Sequence, residues 1–300
     1  TATTEIYTLS LHDALPIYVT GAASSPPAII IAKYDSDGII QWQRTLTSVN
    51  NNRGYGIACD SNNNVYVSGT AQNIVSSDDL FIAKYDSDGI IQWQRLLGNI
   101  SGGADGEGIT TDSNGNVYVT GTTDSQGAGS YDAIIVKYDN DGVIQWQRLL
   151  GGVSTDAGVC IASDASNNIY MAGLTQSQGA GGWDLLIAKY DSDGVIQWQR
   201  TFGGVGQDMS WPYWGHKAIA VHNNLLAVTG YTYSPSLPNS NALVLQVPTD
   251  GNGVGVYGDF TYAVANLTDQ VGTLVDQVGT LIDQAGTLPT GTGELVVSNN

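Results

Sequence analysis

Positive charge is what this sequence has least of. Its 300 residues carry 10 Lys and Arg against 28 Asp and Glu, a formal net charge of −18 at pH 7. Binding to phosphates needs clustered cations, so nucleic acid and anionic membrane surfaces are not expected partners. Cysteine is nearly absent. Cys59 and Cys160 fall in different copies of a repeat at non-equivalent places, and are expected to be unpaired, small, buried residues. Three histidines and two scattered cysteines make no zinc pattern. There is no Gly-x-Ser-x-Gly elbow and no phosphate loop. No apolar run reaches the roughly 18 residues of a membrane-crossing helix. No catalytic residue, metal or cofactor is expected, and the chain reads as a non-enzyme.

What is abundant is glycine, 38 residues, with 16 Tyr and 7 Trp. That mixture suits many short strands joined by tight turns. A repeat confirms the direction. "IAKYDSDGIIQWQR" ends at Arg44 and again at Arg95, "IVKYDNDGVIQWQR" ends at Arg148 and "IAKYDSDGVIQWQR" at Arg200, at spacings of 51, 53 and 52 residues. Between them recur "GIACDSNNNVYVSGT", "GITTDSNGNVYVTGT" and "CIASDASNNIYMAGL", and a degenerate fifth copy follows. Each period resolves into four strands, with Asn-Gly and Asp-Gly turns supplying the positive φ of short hairpins. Such periods point to β-propeller blades. Trp42, Trp93, Trp146 and Trp198 are expected to pack blade against blade. The "DSDG" turns have too few further ligands for a calcium loop and read as hairpin turns.

The phrases "GNVYVTG", "AKYDSDG" and "QWQR" resemble the SBBP-type β-propeller repeat family from Tyr18 to about Phe260. The resemblance implies a fold and no catalytic residues. The versions with "SQGAGSYD" and a Gly-Thr-Leu tail resemble propellers of virion and tail-fibre proteins of environmental phages. The expected fold is therefore all-β, a propeller of four-stranded antiparallel blades, with units at about 18–53, 54–105, 106–157, 158–215 and 216–260.

Residues Thr1–Ile17 match no copy of the repeat. They resemble, along their whole length, the translation of a widely used short-read sequencing adapter, and residues 1–17 are set aside as an artefact. The first unit enters mid-phrase at Tyr18 and is expected to lack a strand, as in a truncated metagenomic fragment. At the other end, Leu267, Val271, Leu274, Val278, Leu281, Ala285 and Leu288 recur four-three-four-three, an a/d seam that Val275 and Ile282 broaden. Residues 261–288 are expected to form a helical segment that joins copies into a homotrimer, although Gly272, Gly279 and Gly286 each cost a helix about 1 kcal/mol. Residues 289–300 read as a linker.

A ligand is expected on the face where loops between second and third strands meet loops between blades. The first set includes Asp124–Tyr131 and Gln176–Trp183, each ending in an aromatic. The second set includes "GQDMSWPYWGHK", which adds Trp211, Tyr213 and Trp214 to the repeat. Rings beside Asn, Gln and Ser suit sugar stacking with hydrogen bonds, and a local hydrophobic plug is the alternative. The expected function is a virion or fibre protein that displays a propeller to a cell-surface glycan or protein receptor, in a virion or extracellular setting. The alternatives are a secreted or surface-anchored bacterial scaffold or adhesion module, and a propeller enzyme of quinoprotein or lyase type.

Overall fold

The computed structural model describes residues 16–24, 27–48, 52–72, 78–99, 102–208, 218–232, 241–278 and 281–285. All regular structure in them is β. The chain lays down five antiparallel sheets in sequence order. The first holds β1 (Ile17–Ser24), β2 (Pro27–Tyr34) and β3 (Ile40–Thr47). The second holds β4 (Arg53–Cys59), β5 (Val65–Gln72), β6 (Asp78–Tyr85) and β7 (Ile91–Gly98). The third holds β8 (Ala104–Thr111), β9 (Val117–Thr123), β10 (Asp132–Tyr138) and β11 (Ile144–Gly151). The fourth holds β12 (Asp156–Ser163), β13 (Ile169–Thr175), β14 (Asp184–Tyr190) and β15 (Ile196–Gly203). The fifth holds β16 (Ile219–His222), β17 (Leu225–Thr232) and β18 (Asn241–Pro248).

The turns are built by side chains as well as by glycine. Asp86 Oδ1 accepts from the amides of Asp88 and Ile90, at 3.0 and 2.9 Å, and its Oδ2 accepts from Gln92 Nε2 at 2.8 Å. Gly89 closes this turn with φ of 75°, a conformation that glycine adopts without a Cβ clash. Asp35, Asp139 and Asp191 repeat the arrangement. These carboxylates hold hairpins.

Each turn also receives the sheet before it. Trp93 donates from Nε1 to the Asn140 carbonyl at 3.0 Å, Lys84 Nζ donates to the same oxygen, and Arg95 Nε donates to the Gly142 carbonyl at 2.6 Å. Trp42 and Lys33 do the same to Ser87, and Trp146 and Lys137 to Ser192. The Trp42 ring stacks on Tyr85 with centroids 6.2 Å apart. The tryptophans thus tie each sheet to the next, as their repeat position suggests. Behind them, Tyr66, Leu80, Ile82 and Leu97 of the second sheet bury against Val117, Val119, Val136 and Tyr138 of the third.

Three features correct the expected fold. First, the tail forms no helix in its described part. It runs back along the outer edge of the sheets as four short strands: β20 (Phe260–Val264) on β15, β21 (Thr268–Val271) on β11, β22 (Val275–Val278) on β7 and β23 (Ile282–Ala285) on β3. Second, the sheets are not uniformly four-stranded. The fifth has three strands, because the chain leaves it after β18 and returns to the fourth sheet as the hairpin of β19 (Gly255–Tyr257) and β20. Third, the described sheets close into no barrel. Cys59 is exposed and Cys160 partly exposed, so neither is the buried residue expected, although both are free thiols. Residues 1–15 lie outside the described residues, whereas Ile17 pairs with Tyr34 in the first sheet.

The physical reason for a strap in place of a helix is a seven-residue step that matches one sheet-to-sheet step. Leu267, Leu274 and Leu281 are 6%, 4% and 5% exposed, and each completes the core between two successive sheets. Val271 and Val278, which a helical seam would bury, are 68% and 69% exposed. Each leucine is held by the second glutamine of a "QWQR" phrase. Gln147 accepts from the Leu274 amide at 3.1 Å and donates to its carbonyl at 3.0 Å, and Gln199 and Gln94 grip Leu267 and Leu281 in the same way. Asp269 and Asp276 accept from the Tyr190 and Tyr138 hydroxyls at 3.0 Å and lie 3.9 and 3.8 Å from Arg148 and Arg95. Gly272, costly to a helix, lets the strap approach: a Cβ there would come within 2.7 Å of Gln147 Oε1.

Candidate functional site

The loops between second and third strands do meet the loops between sheets. The Asp156 amide donates to the Tyr131 carbonyl at 2.8 Å, Ser130 Oγ lies 3.0 Å from Thr155 Oγ1, and the Ser154 amide donates to Ser177 Oγ. One sheet further on, the Asp208 amide donates to the Trp183 carbonyl at 2.6 Å and the Gly182 amide to the Gly206 carbonyl at 3.0 Å. Tyr131 and Trp183 therefore occupy the same place in successive repeats. The Tyr131 side chain is 40% exposed, while Trp183 is partly buried against the core between the fourth and fifth sheets. Trp211, Tyr213 and Trp214 lie outside the described residues.

Beneath this rim sits a feature that the repeat pattern did not single out. Asp132, Asp156 and Asp184 are buried at the starts of their strands, and Asp208 is buried at an isolated bridge to Thr232. Asp132 Oδ2 accepts from the Gly129 amide, Asp156 Oδ2 from the Gly152 amide and Ser177 Oγ, and Asp208 from the Gly204 amide and Thr232 Oγ1. Gly127 and Gly179, with φ of 121° and 134°, make room for Asp132 and Asp184, whose Oδ2 would lie 2.0 Å from an added Cβ. These carboxylates shape the loops from below. Asp recurring immediately before an apolar strand was the available signal.

Burial pushes the Asp184 carboxyl up to about 6, and the Asp208 carboxylate adds to the rise against the lowering amides of Ala180 and Gly181. The folded state therefore holds this proton more tightly than the unfolded chain does. Its contribution to stability is present at low pH and is lost as pH rises through about 6. Thermal melts across about pH 4 to pH 7 should show this loss in the native sequence, and Asp184→Asn should flatten it. An equally steep loss in the variant would refute the assignment.

No group of three or more His, Cys, Asp or Glu among the described residues is placed to hold a metal ion. The repeated tyrosines are taken up by structure: Tyr66, Tyr118 and Tyr170 each donate to the aspartate of their own turn, Asp60, Asp112 and Asp164. Their hydroxyls are raised well above the ordinary tyrosine range by burial first and by those aspartates second in Tyr66 and Tyr118, and by burial and the hydrogen bond to Asp164 in Tyr170. Groups held this way shape a scaffold and stay protonated at neutral pH.

Comparison with known proteins agrees with the architecture. The SBBP beta-propeller repeat model matches residues 92–127, and the model of a domain of unknown function described as a beta-propeller, DUF5122, matches residues 113–144. An uncharacterized WD repeat-containing protein of Acanthamoeba polyphaga mimivirus is 22% identical over 284 residues, covering 72% of this chain and 20% of its own. The regulatory protein FlaEY of Caulobacter vibrioides is 26% identical over 152 residues, covering 44% of this chain and 16% of its own. The chain thus spans a fifth or less of the length of these relatives. With sheets laid down in sequence order, tryptophans at their joints and two propeller-repeat models matched within residues 92–144, the chain carries β-propeller repeats.

Proposed function

We propose that the chain is a non-enzymatic binding module whose loop rim engages a carbohydrate or a protein receptor on a cell surface. The observation that carries this reading is the rim itself: Tyr131 and Trp183 at equivalent places, stitched among hydroxyl-bearing and amide-bearing loops. Rings beside such groups suit a sugar, whose apolar face stacks while its hydroxyls find donors and acceptors. The non-enzymatic part rests on the charged groups, which are spent on turns, joints and the strap. The setting we favour is a virion or fibre, with a bacterial surface scaffold as the other; one relative is encoded by a giant virus and the other by a bacterium.

The test is glycan-array and cell-surface binding of the protein, with Tyr131→Ala as the first variant because its ring is exposed. Trp211→Ala and Trp214→Ala form the second arm. Binding should fall at least about tenfold, which is the loss of roughly 1.4 kcal/mol expected when a stacking ring is removed, with the melting temperature unchanged. Glycan binding that survives all three substitutions would overturn the carbohydrate rim.

A further inference from the structure

We infer that the outer rim of the sheets is a sequence-selective peptide receptor, and that its partner is the tail of a second copy of this chain. The receptor unit is Gln, Tyr and Arg drawn from neighbouring sheets: Gln199, Tyr190 and Arg148, then Gln147, Tyr138 and Arg95. The ligand unit is the heptad Leu-x-Asp-Gln-x-Gly-Thr, present as "LTDQVGT" and "LVDQVGT" and varied as "LIDQAGT". Backbone pairing supplies affinity, and the leucine pocket, glutamine clamp and aspartate contacts supply selectivity, as in strand addition to a sheet edge.

Three observations carry the step from one copy to two. The receptors repeat along the rim at the same interval as the ligand units, so any unit fits any receptor and a tail can dock from either copy with the same contacts. Each attachment is local, at four paired residues per sheet in β21, β22 and β23. The segment that feeds the strap is rich in glycine: Gly253, Gly255 and Gly258 lie between β18 and β20, and a Cβ at Gly258 would meet nothing within 4 Å. A permissive connection followed by an element that makes identical contacts in either chain is the condition for exchange between copies. Association through the tail then runs on strands, with no helical seam.

The experiment uses the full chain. A tagged and an untagged preparation are mixed at about 100 µM, incubated below the melting temperature, and the tag is captured; intramolecular docking at millimolar effective concentration competes, so high protein concentration is needed. The untagged copy should be captured with the tagged one. The peptide Gly-Thr-Leu-Val-Asp-Gln-Val-Gly-Thr-Leu in large excess should reduce that capture at least about tenfold, while a scrambled peptide should leave it unchanged. A complementary pair adds direction. Full chains with Gln94→Ala, Gln147→Ala and Gln199→Ala keep an intact tail, and chains with Asp269→Ala and Asp276→Ala keep intact receptors and the three buried leucines. Each alone should be monomeric by light scattering, and the mixture should contain a one-to-one complex. No co-capture of native copies, or co-capture that the heptad peptide and its scrambled form affect equally, would overturn the inference.

Discussion

Replacing Leu267, Leu274 and Leu281 together with alanine should lower the unfolding free energy by about 6 kcal/mol or more, at the roughly 2–5 kcal/mol usual for one buried leucine. The three sites sit in three different joints, far enough apart for their costs to add. That total rivals the whole stability of an ordinary domain, about 5–15 kcal/mol, so the variant should be partly unfolded at room temperature. Removing Val271, Val275 and Val278 instead should cost only a few tenths of a kcal/mol per site, because these side chains face solvent at 68%, 54% and 69% exposure. Urea midpoints of the two triple variants separate the strap from a helical seam. A seam needs Val271 and Val278 as much as the leucines, so equal losses would refute the strap.

The repeat made the sheets legible and the strap illegible, for one physical reason. Within a repeat, side-chain period, turn residues and joint residues are all local, so "VYVTGT" followed by "DG" and "QWQR" states a strand, a turn and a packing surface in order. Even the tryptophan joint could be expected from repetition, since a large ring recurring at one place must meet the same neighbour each time. The tail is different. Leucine, valine and alanine at four-three spacing satisfy a helix as well as they satisfy a strand that crosses one joint every seven residues. What decides between them is the partner: free backbone on β3, β7, β11 and β15 and a glutamine clamp beside each leucine, up to 187 residues away in sequence. The three glycines and the threonines were the local sign against a helix. The fifth unit, expected over about 216–260, misled for a related reason, since its end leaves the fifth sheet and pairs as β19 with β20 on the fourth. At the rim, the meeting of the two loop sets could be read from strand order alone. The buried aspartates beneath it were marked only by their recurrence before an apolar strand, because an acidic residue beside a glycine-rich loop looks solvated until the loop folds over it.

The second large effect is expected at the joints. Gly142→Ala should cost about 2–5 kcal/mol, of which about 1–2 is the penalty of a Cβ at φ of 74° and the rest is overpacking. The overpacking arises because an added Cβ would lie 2.7 Å from the Trp93 ring. That ring cannot simply retreat, because its Nε1 is bonded to the Asn140 carbonyl and its face is packed beside Tyr138, with centroids 6.3 Å apart. Gly38 provides the internal control. It occupies the equivalent turn of the first sheet with φ of 77°, and a Cβ there would meet nothing within 4 Å. Gly38→Ala should therefore show the conformational penalty alone, about 1–2 kcal/mol. Trp93→Ala should cost about 3–5 kcal/mol, as expected for a large ring removed from a packed joint. In the Trp93→Ala background, Gly142→Ala should then cost no more than Gly38→Ala does in the native sequence, since the ring that made the difference is gone. Denaturation of the two single glycine variants, the tryptophan variant and the double variant measures every term. If Gly142→Ala and Gly38→Ala cost the same, or if the double variant shows no coupling, the tryptophan is not what holds one sheet against the next.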